Sequence, residues 1–87
     1  AEGKAPDSLN DQLELLWSNI VHILAEEGVT TDNIVKLTSF LCDASYSGAN
    51  QAARIKALGE RRIPTTAVVV ALLDPKWLVE IEVIAAG

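Results

Sequence analysis

Cysteine and histidine are almost missing from this chain: its 87 residues hold one of each. A lone cysteine cannot build a disulfide framework, and one of each cannot furnish a Cys/His zinc site. Basic charge is scarce too. Seven Lys and Arg against twelve Asp and Glu leave a net charge of −5, whereas gripping a phosphate backbone takes clustered cations. Nucleic acid is therefore not an expected partner. No apolar run approaches the roughly 20 residues of a membrane span, and no signal peptide is read. The expected compartment is cytoplasmic, with no membrane partner, metal or cofactor.

What is there suits a globular fold. Hydrophobic residues make up 49% and charged ones 22%, too apolar for a disordered chain. The length fits a single domain, residues 1–87. Charge is uneven: Arg54, Lys56, Arg61 and Arg62 gather at helical spacing. With no aromatic interleaved, they read as a solvated helix face.

Leu9, Leu13, Leu16, Trp17, Ile20 and Leu24 recur at steps of three and four, which predicts a long amphipathic helix. Ser8 is its expected N-cap, and Gly28 its left-handed stop. Val21 and Ile23 widen the stripe, so the helix should lie flat on a sheet. His22 reads as structural. Ile34 to Cys42 predicts a strand with Val35, Leu37, Ser39 and Leu41 on one face and Lys36, Thr38, Phe40 and Cys42 on the other. Cys42 reads as a quiet, partly buried thiol. A second helix is expected over Ala49 to Leu58, stopped by Gly59.

Thr66 to Leu73 is a continuous β-branched and apolar run, the pattern of a strand covered on both faces. After the turn chemistry of Asp74-Pro75-Lys76, Leu78 to Ala86 alternates. It puts Val79, Ile81, Val83 and Ala85 on one face and Glu80, Glu82 and Ile84 on the other. These last two strands are expected to form an antiparallel hairpin. The result is an α+β layer with both helices on one face of a β-sheet. Strands apolar on both faces, with helices for only one, imply that copies of the chain cover the other.

Glu80 and Glu82 stand about 7 Å apart along one strand face, a pair suited to acid/base work or simply solvated. In its wider context the pair falls within a larger pattern. Val79-Glu80-Ile81-Glu82-Val83-Ile84-Ala85, preceded by Ile63-Pro64-Thr65-Thr66-Ala67-Val68-Val69-Val70, resembles the C-terminal signature of the Rid/YjgF proteins, the reactive-intermediate enamine/imine deaminase family. Gln12, Trp17-Ser18-Asn19-Ile20, Asn33 to Thr38, Phe40 to Asp43 and Asn50 follow the same order and spacing. The resemblance implies a chorismate-mutase-like fold, a homotrimer and a small-molecule metabolite in a cleft between subunits. It also implies that Glu80 is the catalytic residue that positions water, with Thr66 and Asn50 binding substrate.

Two departures from the family pattern stand out. Relatives begin with about 35–45 further residues that form strands. These are absent here, so the chain is expected to be N-terminally shortened, with a sheet edge left open. Where relatives carry a carboxylate-clamping Arg, this chain has Thr66. A hydroxyl supplies no charge, so binding of an imino or keto acid should weaken unless Arg61 or Arg62 substitutes. The expected function is an enamine/imine deaminase-like hydrolase of altered substrate preference; the alternative is a non-catalytic trimeric metabolite-binding protein. Some relatives are called ribonucleases, but an acidic chain with one histidine offers no mechanism for that.

Overall fold

The computed structural model of the protein describes residues 8–59, 63–74 and 76–86. Helix α1 (Leu9–Glu26) starts where expected. The Ser8 hydroxyl accepts the Asp11 N–H at 3.1 Å, and Asp11 complements the helix dipole. Past its end, Gly28 takes φ +76°, a left-handed conformation that side chains resist. The stripe buries Leu13, Trp17 and Leu24 together with Gln12. Val21 and Ile23, in contrast, are 48% and 60% exposed. They sit outside the packed stripe, and the buried face is narrower than the sequence implies.

A short 3-10 turn (Thr31–Asn33) leads into β1 (Ile34–Leu41). A second one (Ala44–Tyr46) leads into α2 (Ser47–Leu58), which ends at Gly59 with φ +70°. Then come β2 (Thr65–Val69) and β3 (Val79–Ala85).

The sheet order is β2-β1-β3, with β1 parallel to β2 and antiparallel to β3. The expected β2–β3 hairpin is therefore wrong, for a topological reason. β1, α2 and β2 form a strand–helix–strand crossover, which sets its two strands side by side and parallel. Only the far edge of β1 is then open to β3, and residues 70–78 carry the chain there. β2 is an edge strand of five residues rather than a covered one, and Val69 is 57% exposed.

Facing pairs Leu37↔Val83, Ser39↔Ile81 and Leu41↔Val79 hold the helix side of the sheet. Their alternation is as expected, except at the start of β1. There a register shift between Ile34 and Lys36 turns Ile34 fully inward and leaves Val35 47% exposed. The core has two clusters, Trp17 with Leu24, Ile34 and Leu37, and Leu13 with Leu41 and Val79. Ala53 of α2 packs against both, so both helices cover the same face. No described element covers the other face, which carries Lys36, Thr38, Phe40, Thr66, Val68, Glu80, Glu82 and Ile84 by register.

Candidate functional site

β1 and β2 run parallel and end together, so the segment after β2 must cross the end of β1 to reach β3. Val70 begins that crossing, its N–H bonded to the Leu41 carbonyl at 2.8 Å. The crossing builds a groove of about 520 Å³, walled by Phe40, Leu72, Leu73 and Trp77 and bearing the carboxylates of Asp74 and Glu80.

The far lip of the groove is tied down from two sides. Gln12 is fully buried; its side-chain NH2 donates to the Lys76 carbonyl at 2.8 Å, and its carbonyl oxygen accepts the Leu78 N–H at 2.7 Å. From β1, the Cys42 N–H donates to the Leu78 carbonyl at 3.0 Å, and its thiol to the Trp77 carbonyl at 3.4 Å. The Asp74 carboxylate accepts the Lys76 N–H at 3.0 Å, and the Trp77 N–H reaches the Asp74 carbonyl at 3.1 Å. These are turn bonds of the kind the Asp-Pro-Lys sequence suggests. Cys42 is thus a partly buried thiol in a structural bond. Pro75 itself lies outside the described residues.

Glu80 is exposed at the groove, level with Phe40. Thr66 is exposed on the same outward face but one row along, level with Thr38 and Glu82. Strand and row spacings put the Glu80 and Thr66 backbones roughly 12 Å apart within one chain. Asn50 is 6% exposed in α2, in the helical layer behind the sheet. The structure therefore brings Glu80 and Thr66 to one face and leaves Asn50 on the other side. Arg61 and Arg62 lie outside the described residues. His22 sits on exposed helix surface, its Nε2 2.9 Å from the Glu26 carboxylate.

Sequence reasoning singled out Glu80 but missed the aromatic walls Phe40 and Trp77 and the apolar rim after β2. A signal was present: the apolar run continues to Leu73, four residues beyond the five-residue strand. Among the described residues, no three His, Cys, Asp or Glu side chains gather as a metal site requires. Nor is any described helix long and apolar enough to cross a membrane.

The family model for endoribonuclease L-PSP matches residues 1–87. Among solved structures, RidA from an Antarctic Psychrobacter is 28% identical, with a TM-score of 0.88 over 94% of this chain and 67% of its own. The Rid-family protein YyfA from Yersinia pestis is 30% identical, with a TM-score of 0.87 over 95% and 67%. A member of the YjgF/UK114 family from Mycobacterium tuberculosis is 29% identical, with a TM-score of 0.85 over 91% and 68%. The chain thus spans about two thirds of the length of these structures, and 64% of a fourth, from Entamoeba histolytica. No curated protein matches.

Proposed function

Given that the chain belongs to the endoribonuclease L-PSP family, the Rid/YjgF/UK114 group, we propose that it is an enamine/imine deaminase-like hydrolase of altered substrate preference, acting in a cleft between three copies. The observation that carries this reading is the exposed Glu80 carboxylate at an apolar, aromatic-walled groove beside an uncovered sheet face. Such a groove excludes most water while a carboxylate orients the one that reacts.

In the proposed reaction, Glu80 accepts a proton from water as the oxygen attacks the imine carbon. The C=N π pair moves to nitrogen, which takes that proton. A second proton transfer, from the new hydroxyl to nitrogen through Glu80, lets the C–N bond break and releases a carbonyl product and ammonia. Thr66 and Asn50 are assigned to substrate binding by likeness to the family. Thr66 is too far from Glu80 in its own chain, so a neighbouring copy seated on the outward face is the arrangement in which a Thr66 hydroxyl reaches a Glu80 groove. Asn50, buried in the helical layer on the other side of the sheet, has only that likeness behind its role. With Thr66 in the clamp position, imines without a carboxylate are the favoured substrates.

The test is imine loss from 2-iminobutyrate and from an uncharged imine, both generated in situ, with ammonia release as readout. Acceleration that falls at least 100-fold in Glu80→Gln supports the hydrolase. Equal rates for wild type and variant, with saturable metabolite binding that shifts the melting temperature, would instead establish the second reading, a non-catalytic metabolite-binding protein. The absence of a charged clamp at Thr66 favours that alternative. RNA cleavage serves as a control and is expected to be absent.

A further inference from the structure

The Glu80 groove carries charge of one sign. Of the residues that line it, Asp74 and Glu80 are charged and both are acids; among the described residues no Lys or Arg contributes to its wall. Lys76, two residues past Asp74, does not line it. On the outward face the described cation is Lys36, four residues along β1 from Phe40 and so about 13 Å away. Neither carboxylate has an ion-pair partner among the described residues. The Thr66 hydroxyl that a neighbouring copy brings to the groove adds no charge to offset them.

The rest of the wall is apolar and partly aromatic. Phe40 and Trp77 are half-buried, with Leu72 and the fully exposed Leu73 beside them. The face of an aromatic ring attracts a cation. Carboxylates next to such rings suit an ammonium that carries a hydrocarbon. An anion of the same size would bring a third negative charge to the two already there.

Building on the hydrolase reading of this groove, we infer that its substrates are iminium cations derived from apolar amines. The charged nitrogen faces Asp74 and Glu80, and the hydrocarbon lies against Phe40, Leu72 and Trp77. Nearby carboxylates favour the protonated C=NH2+ form over the neutral imine, and protonation makes the carbon a better target for water. Iminium and water give aldehyde and ammonium: a C–O bond forms, the C–N bond breaks, and both water protons end on nitrogen. Asp74 is then a specificity-determining residue. Its carboxylate also accepts the Lys76 N–H at 3.0 Å; an asparagine carbonyl can keep that bond without the charge.

The test compares two imines that share one hydrocarbon and differ by a carboxylate. The phenylacetaldehyde imine is generated from 2-phenylethylamine by a flavin amine oxidase, the phenylpyruvate imine from phenylalanine by an amino acid oxidase. The first should be hydrolysed with kcat/KM at least tenfold higher. Binding is read apart from turnover by titrating the full chain with 2-phenylethylammonium, 2-phenylethanol and phenylacetate. The reporter is the Trp77 indole N–H cross-peak, the one absent from spectra of Trp77→Phe. The ammonium should bind at least tenfold more tightly than phenylacetate, a preference that shrinks as salt is raised. Asp74→Asn should weaken 2-phenylethylammonium about fivefold and leave 2-phenylethanol within about twofold. Equal affinity for the three probes, unchanged selectivity in Asp74→Asn, or a phenylpyruvate imine hydrolysed as fast would each overturn the cation preference, even with both imines turned over. No turnover of either imine, together with the tenfold ammonium preference, would remove the hydrolase and leave the selectivity of the groove standing.

Discussion

Replacing Gln12 with leucine tests how the Glu80 groove is held in place. The side chain is fully buried and bridges α1 to the turn before β3 with bonds of 2.8 Å to the Lys76 carbonyl and 2.7 Å from the Leu78 N–H. Leucine fills similar volume but can make neither bond. Each lost bond is worth about 1 kcal/mol net, and stranding the Leu78 N–H in the interior raises the total to about 2–4 kcal/mol. For a domain of this size that corresponds to a fall in melting temperature of roughly 10–25 °C. Thermal unfolding by circular dichroism reads the first number. Hydrogen exchange at the Leu78 amide reads the cause, and its protection should drop more than that of the core strand amides of Leu37 and Leu41. Gln12→Glu keeps the acceptor for Leu78 but sets a carboxylate against the Lys76 carbonyl, so it should recover stability on acidification, when a protonated carboxyl can donate again. A Gln12→Leu protein within about 1 kcal/mol of wild type, with Leu78 as well protected as before, would refute the clamp.

Two further outcomes follow from particular side chains. The N–H and hydroxyl of Ser45 hold the Asp43 carboxyl below its ordinary value of 3.8. A depressed acid pKa contributes stability that is present above the unfolded value and is lost as pH falls through the folded one. Asp43→Ala should therefore melt below wild type at pH 7, and the gap should close as pH drops below 3.8; a gap independent of pH would contradict this. Ile84, 50% exposed on the uncovered sheet face, should lie between copies, so Ile84→Asp should reduce the assembly to monomers in sedimentation while leaving the far-ultraviolet spectrum unchanged.

Much of the fold is legible where one local rule decides. Ser8, Gly28 and Gly59 mark the helix ends because a cap or a positive φ is a one-residue requirement. The alternation of Val79 to Ala85 carries through intact because β3 is covered on one face only. What escapes is whatever depends on partners distant in sequence. The β2–β3 hairpin reads naturally from the Asp-Pro-Lys turn, yet the crossover through α2 claims one edge of β1 and sends β3 to the other. The shift at Val35 is invisible in a simple alternation, and Val21 and Ile23 look like stripe residues although they lie on its exposed flanks. At the site, Glu80 stands out through its strand pattern. Phe40 and Trp77 join it only because residues 70–78 cross the end of the sheet, and Gln12 becomes its support from 66 residues before Leu78.

The proposed hydrolase needs the bare side of the sheet to be a meeting place for copies, with the Glu80 groove at the seam. Sedimentation equilibrium of the protein in moderate salt measures this directly. The expected particle is about 28 kDa, three chains of 9.3 kDa each. A single species at 9.3 kDa across micromolar concentrations would contradict it, because Thr66 and Glu80 would then never share a substrate.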